Sequence, residues 1–232
     1  VGSDETGVRV DDENQWLWVF QNDEWVYTEI RPSRAAAVIE DVVGNEADVE
    51  VWVSDAYPAQ LINPAEDYQL CLAHQLRDLQ YAIDAHDCEW AKRGQDLLRR
   101  AVQLHHERPA DNKRNFQARV TAVIYHVDQW LQRVPDNDDS INLRKRFHKH
   151  RAALLLFLHR DDVPPTNNAS ERALRNSVIY RKVTGGFRTA WGANLYADLL
   201  SILESARRQV RPVLTTLTSL FTPHPHFSWL GE

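Results

Sequence analysis

Three acidic residues sit where a carboxylate could do chemistry. Asp4 lies in Ser3-Asp4-Glu5-Thr6-Gly7, inside a segment that otherwise reads as a core strand. An unpaired charge in a strand interior is costly, so a carboxylate there is either functional or turned to solvent near the terminus. Asp55 follows the apolar run Val49–Ser54, in Ser54-Asp55-Ala56-Tyr57-Pro58. The carboxyl end of a strand in an α/β sheet is where ligands gather, and it is also where turn chemistry favours aspartate. Glu171 closes Asn168-Ala169-Ser170-Glu171, which has capping-box spacing with Asn168 as N-cap, a structural role that would by itself explain a glutamate. The residues after Glu171 shift the balance: Arg172, Arg175, Arg181, Lys182 and Arg188 come in quick succession, with Gly185-Gly186 allowing close backbone approach. Cations at that density beside a helix start suit phosphates. Carboxylates from three separated segments form a donor set for a hard divalent cation such as Mg²⁺ or Mn²⁺, which takes oxygen ligands and keeps several waters. Two such ions roughly 3.5–4 Å apart can activate the attacking oxygen and stabilise the leaving one in an in-line displacement at phosphorus.

Other groups bear on the same chemistry. Cys71-x-x-His74 places two ligand types near a strand-to-helix junction. A zinc site needs two more ligands, and Cys88, His105, His106 and the tail pair His224 and His226 are the only loose candidates. Cys71 therefore reads as a small buried residue and His74 as a neighbour of the active site. The run Arg144-Lys145-Arg146-Phe147-His148-Lys149-His150-Arg151 reads equally as a backbone contact to DNA and as a solvated helix face with Phe147 turned inward. Of the eight tryptophans, Trp16, Trp18, Trp52, Trp90 and Trp130 follow apolar periodicities and belong to the core, which leaves Trp191 as the candidate for DNA contact.

The elements that must position these residues change character along the chain. Val1–Val10, Trp16–Phe20 and Trp25–Ile30, separated by turn-rich segments, predict a three-stranded antiparallel meander. A helix then runs through Val43, with Ser33 as its N-cap and Gly44 as its stop. Val49–Ser54 reads as a buried strand and Tyr68–Leu72 as a weaker fifth one. From His74 to about Arg160 the period becomes helical. Three faces are marked by Trp90, Leu97, Ala101 and Leu104, then by Phe116, Val120, Ile124, Val127 and Trp130, then by Ile141, Phe147, Leu154 and Leu158. After the Asp161–Pro165 linker come a helix from about Asn168 and a long amphipathic one over Gly192–Val210. Strands, a helix, further strands and then a helical block give an α/β class, divided as residues 1–73, a helical insertion over 74–160, and a return to the core over 161–232.

Composition sets the outer bounds. The 232 residues are 43% hydrophobic and 26% charged, which is ordinary globular usage. The longest apolar run, Ala152–Leu158, is far too short to span a bilayer, and nothing at the start reads as a secretory leader. Two cysteines cannot build a disulfide framework, so a reducing compartment is expected. The absence of methionine and the start at Val1 read as a piece of something longer. The net charge of −6 hides an asymmetry: residues 1–70 hold 16 acids and 3 bases, whereas residues 140–188 hold 11 bases and 3 acids. An acidic part joined to a basic part can hold cations on one side and a polyanion on the other, and solvated faces of opposite sign would look the same.

Asp4-Glu5-Thr6-Gly7, Ser54-Asp55-x-Tyr57, Cys71-x-x-His74 and Pro164-Pro165-Thr166-Asn167-Asn168-x-x-Glu171-Arg172-Ala173-Leu174-Arg175 occur in that order, succeeded by Arg181-Lys182-Val183-Thr184-Gly185-Gly186-Phe187-Arg188. Together they resemble the bacterial DDE transposases of insertion-sequence family sixty-six across nearly the whole chain. The resemblance implies an RNase H-like core, a mixed five-stranded sheet with helices, interrupted by an all-helical insertion. It places the acidic, metal-binding triad on Asp4, Asp55 and Glu171, with spacings of 51 and 116 residues. It implies two Mg²⁺ or Mn²⁺ ions, transposon-end and target DNA as partners, and an assembly of at least two copies on DNA in the bacterial cytoplasm. Cys71, His74, Asn167 and Asn168 would lie near that site. Arg172, Arg175, Arg181, Lys182, Arg188, Arg144, Lys145, Arg146 and Lys149 would contact DNA. The resemblance also implies that the family's leader regions, its helix-turn-helix and zinc-binding parts among them, lie outside this sequence. Asn176 stands where proline is expected after Ala-Leu-Arg, and Gln60 stands where an aromatic residue is common. Another RNase H-like nuclease or resolvase, or a relic that only binds DNA, remain the alternative readings.

Overall fold

A computed structural model describes residues 1–44, 48–108 and 112–222. Its elements, in chain order, begin with strands β1 (Gly2–Val10), β2 (Glu13–Gln21) and β3 (Val26–Arg31), helix α1 (Ala37–Val43), and strands β4 (Val51–Ser54) and β5 (Asp67–Leu70). Then come helices α2 (Leu72–His86), α3 (Glu89–Glu107), α4 (Lys113–Gln132), α5 (Asp138–Lys149) and α6 (Arg151–Leu155), with a 3₁₀ turn over Leu156–Leu158. Helices α7 (Asn168–Thr184), α8 (Ala190–Arg208) and α9 (Val213–Ser219) complete the described chain. Five strands of mixed direction with many helices make this an α/β protein. No described helix is long and apolar enough to cross a membrane. Two compact units emerge. One comprises Val1–Ala47, Pro58–Pro64 and Asn168–Glu232, and the other Asp48–Tyr57 and Ala65–Asn167.

The first unit is built on the expected meander, with β2 extending beyond the apolar Trp16–Phe20 at both ends. Asp11 and Asp12 both take positive φ, 50° and 63°, and close a two-residue hairpin between Val10 and Glu13. The Asn22 side chain accepts the amides of Glu24 and Trp25 and turns the chain into β3. One face of the meander carries Val8, Val10, Leu17, Val19, Val26 and Ile30, which bury Ala173 and Leu174 of α7 and Ala193 and Ala197 of α8. Small residues on α8 let it approach β3 closely, so that Ser201 and Ser205 hydroxyls accept the amides of Thr28 and Val26 at 2.8 and 2.9 Å. Helix α1 starts three residues later than expected, with Ala36 rather than Ser33 at its N-cap. Ser33 Oγ accepts the Ala35 amide in a local turn, and no side chain caps Ala36.

The second unit pairs β4 with β5 in parallel, and its described residues continue as helices α2 to α6 and the 3₁₀ turn. Its core centres on Trp90, Trp130 and Phe147, with the two indoles stacked at 4.5 Å and each donating to the other's main-chain carbonyl. Burying such a side chain contributes about 2–3 kcal/mol. The third expected helix is divided: α5 ends at His150 (φ −110°, ψ 30°), and α6 gives way at Leu155 to the 3₁₀ turn. Leu154, Leu155, Phe157 and Leu158 are all essentially fully buried. A continuous helix would turn part of that run to solvent. Gln69 Oε1 accepts the Phe157 amide at 3.0 Å and ties β5 to that turn.

Candidate functional site

Within the first unit, strand parity settles where Asp4 points. Successive residues of a strand face opposite sides, so Asp4 shares a face with Thr6, Val8 and Val10. Val8 and Val10 pack in the cluster with Ala173 and Leu174, and Thr6 Oγ1 receives Arg181 Nη1 at 3.3 Å. That is the face covered by α7. The helix runs alongside β1 in the same direction. Near its start, Ser170 Oγ accepts Gln21 Nε2 at 3.2 Å, and Gln21 is the cross-strand partner of Gly2. Eleven residues on, Arg181 reaches Thr6 and the carbonyl of Gly7. Glu171, next to Ser170, therefore lies at the end of α7 that covers the Asp4 end of β1. Both carboxylates are half-buried, and Asp4 Oδ1 accepts the Glu5 amide at 2.9 Å. Helix α7 begins at Asn168 itself. Counted from Asn168 as the first helical residue, Glu171 is the fourth, one past the N3 position that a capping box uses. A glutamate in the first turn is also favoured by the helix dipole.

Asp55 belongs to the second unit, immediately after β4. Its Oδ1 accepts the Tyr57 amide at 2.9 Å, and its carbonyl accepts the Tyr68 hydroxyl, which also lies 3.0 Å from Ser54 Oγ. Burial pushes the Tyr68 phenol well above the usual tyrosine range, with the neighbouring Asp55 charge acting in the same direction. Tyr68 remains a neutral donor that holds the strand end carrying Asp55. Cys71 is fully buried. Its amide donates to Ser54 O at 2.8 Å, and its Sγ accepts the Asn167 amide at 3.1 Å. Leu72 N donates to Pro165 O at 2.9 Å, so the Pro-Pro-Thr-Asn segment is sewn to the start of α2. His74 sits half-buried in the first turn of that helix. Cys88 Sγ accepts Ser140 Oγ, and His105 packs edge-on against Phe157, so these two zinc candidates are engaged elsewhere in the unit. His224 and His226 lie outside the described residues.

The basic candidates divide by what they touch. Arg144 Nε donates to Leu131 O at 2.6 Å, and Arg146 bonds Gln75 Oε1 and Asp78, fastening α5 to α4 and to α2. Lys145 and Lys149, four residues apart on α5, are exposed. On α7, Arg172, Arg175 and Lys182 are exposed, whereas Arg181 is half-buried against β1. Arg188 is exposed beyond the Gly185-Gly186 turn. Gly186 takes φ 132°, and a Cβ there would lie 2.5 Å from Arg9 O, so this turn reaches a proximity to β1 that only glycine permits. Trp191 is 75% exposed in the first turn of α8, where Thr189 caps the Gly192 amide.

Sequence reasoning missed a buried polar cluster on the opposite face of β1. Glu5 Oε1 accepts Arg34 Nε at 2.6 Å, and its Oε2 accepts Gln60 Nε2, also at 2.6 Å. Gln60 also lies 3.2 Å from Ser3 Oγ. The available signal was parity: two adjacent acids on one strand must face opposite ways. Its partners, 29 and 55 residues away, leave no local trace.

All the ligands expected for a divalent cation are oxygen donors, and they are half-buried rather than sealed. That chemistry fits Mg²⁺ or Mn²⁺. A family model described as Transposase IS66 family matches residues 1–195, a span that holds Asp4, Asp55, Glu171 and the basic residues through Arg188. No curated protein and no solved structure gives a significant match.

Proposed function

Because the chain belongs to the IS66 family of transposases, we propose that it carries the catalytic chemistry of a DDE transposase. On this reading its two units form an RNase H-like core interrupted by a helical insertion, and Asp4, Asp55 and Glu171 are the acidic triad. The observation that carries the proposal is the family match over all three acids, joined to the placement of Asp4 and Glu171 on one face and at one end of the first unit. Two divalent ions, when bound, supply charge neutralisation at the attacking and leaving oxygens. Asp4, Asp55 and Glu171 would hold them, and Tyr68 keeps the strand end at Asp55 in place. The exposed cations Arg172, Arg175, Lys182 and Arg188 bind the DNA backbone, with Lys145 and Lys149 as a further contact and Cys71, His74, Asn167 and Asn168 lining the approach. Water hydrolyses a phosphodiester at the element's end and leaves a 3′-OH. That hydroxyl then attacks a phosphodiester of target DNA in line, the new P–O bond forming as the bond to the target strand's 3′ oxygen breaks and leaves a 3′-OH there, with no covalent enzyme intermediate. Joining two ends calls for at least two copies on DNA.

The test is nicking of supercoiled plasmid in Mg²⁺ or Mn²⁺. Asp55→Asn should abolish cleavage while melting temperature and DNA affinity stay close to wild type. Wild-type cleavage by that variant would sink the triad assignment. Joining of pre-cut 3′-OH ends separates a transposase from a resolvase, which cuts without joining.

A further inference from the structure

The cluster behind Asp4 is built for accuracy more than for stability. Glu5 is 8% exposed and Gln60 not at all. Burying a carboxylate is unfavourable unless it is paired and hydrogen-bonded, and well-packed apolar side chains at such a place are often no less stable. Here the carboxylate is fully provided for. Arg34 donates through Nε and Nη2, each at 2.6 Å, and its guanidinium is held 4.7 Å over the Trp16 ring. Gln60 donates to the second oxygen. The loop that presents Gln60 is itself folded tight: Asn63 Nδ2 donates to Gln60 O at 2.9 Å, and the Ile62 amide donates to Ala59 O at 3.2 Å. One end of the network is thus the residue next to Asp4 on β1. The other is a rigid turn five residues along the chain from Asp55.

We propose that the Glu5–Gln60–Arg34 network is a positioning device for the acidic site, with Glu5 and Gln60 as positioning residues that touch neither metal nor DNA. The inference rests on the triad reading of Asp4, Asp55 and Glu171. Glu5 fixes the backbone that carries Asp4, and its carboxylate also holds Gln60, in the turn five residues along the chain from Asp55. Phosphoryl transfer is sensitive to such anchoring, because about 1 Å of misplacement can cost on the order of 10²-fold in rate. Outer-shell partners of metal ligands typically contribute about 10–100-fold in affinity or activity.

The experiment uses the full chain with Mn²⁺ as the probe, its binding tracked by electron paramagnetic resonance of the free ion, beside plasmid nicking and thermal melting. Gln60→Ala should weaken Mn²⁺ binding and lower kcat by about tenfold or more, with KM for DNA little changed and both losses present well below the lowered melting transition that removal of a buried hydrogen bond brings. The exchange Glu5→Gln/Gln60→Glu keeps these hydrogen bonds, with donor and acceptor reversed between positions 60 and 5 and between positions 60 and 3. Gln at position 5 would accept from Arg34 and donate to Glu at position 60, and the Ser3 hydroxyl would donate to that same carboxylate. The exchange should return both quantities to near wild type, whereas Glu5→Gln alone should not. Wild-type Mn²⁺ affinity and kcat in Gln60→Ala would overturn the inference. So would a loss that the exchange fails to rescue, or one that tracks the fall in melting temperature. Asp4→Asn and Asp55→Asn run alongside. If neither alters Mn²⁺ binding, the triad reading fails; if both abolish it while Gln60→Ala leaves it intact, only the positioning role fails.

Discussion

Arg181 and Lys182 are neighbours in sequence with opposite placements, and that contrast yields a quantitative prediction. Arg181 is half-buried, its guanidinium donating to Thr6 Oγ1 and to the Gly7 carbonyl, whereas Lys182 is exposed on α7 beside Arg175. A hydrogen bond to a charged group contributes about 1.5–3 kcal/mol, and the partial exposure of Arg181 favours the lower end. Arg181→Ala should therefore lower the melting temperature by roughly 3–8 °C, with little change in how DNA binding responds to salt. Lys182→Ala should do the reverse. Each phosphate contact contributes about 0.9 to the slope of log affinity against log salt. Its loss therefore reduces the fall in affinity between 50 and 200 mM salt by about 3.5-fold. The triple variant Arg172→Ala/Arg175→Ala/Lys182→Ala should flatten the slope by about 2.7, roughly 40-fold over that range, with melting unchanged. Fluorescence anisotropy of a labelled duplex across that salt range, paired with thermal melts, measures both quantities. An Arg181→Ala variant that loses one unit of slope and melts like wild type would refute the structural assignment of Arg181.

Other consequences can be checked on the second unit. A Cβ at Gly94 would stand 2.1 Å from Trp130 Cζ2, and that indole is pinned by stacking and by hydrogen bonds in both directions with Trp90. Gly94→Ala should destabilise by about 1–3 kcal/mol through overpacking, despite a helix-propensity gain of about 1 kcal/mol; denaturant unfolding that finds it as stable as wild type would contradict this packing. Burial, then the charge of Arg108, lowers the pKa of His105, and burial, then Lys149, lowers that of His150. The folded state favours both neutral imidazoles, so their contribution is present above the unfolded pKa of about 6.5 and is lost as pH falls through the lower folded values. Melting temperature should drop from pH 7 toward pH 5, and His105→Gln/His150→Gln should flatten that drop; an unchanged slope would remove these two as its cause.

Periodicity made most of the fold legible. The meander and the helical block can be read from alternation and helical spacing, because each element buries one face and leaves the other wet; the start of α7 near Asn168 rests on its polar first-turn residues instead. Where the reading slipped, a tertiary demand overrode the local signal. Ser33 turns the chain four residues before α1 begins, and the run ending at Leu158 breaks into shorter pieces that bury Leu154, Leu155, Phe157 and Leu158 together. The acids show the same limit. Asp4 and Glu5 look like one motif in sequence, yet strand parity sends one carboxylate toward α7 and the other into a buried network whose partners are distant in the chain.

Charge density is the least faithful of the sequence signals, and sorting it changes the functional argument. The eleven bases of residues 140–188 look like one polyanion-binding stretch. Five of them are occupied internally: Arg144 on Leu131 O, Arg146 on Gln75 and Asp78, Arg151 on Asp128, Arg160 on Glu50 and Asp162, and Arg181 on Gly7 O. The remaining six, Lys145, Lys149, Arg172, Arg175, Lys182 and Arg188, are exposed. Every arginine of the run on α5 that drew attention by its density holds helices together, and the two lysines between them are what solvent meets. On α7 the exposed cations begin one residue after Glu171, so the acid and the bases that would meet its phosphate are carried by the same rigid rod. Placing them on one helix fixes their separation without a loop's freedom, which is what an in-line displacement between a held metal site and a held backbone requires.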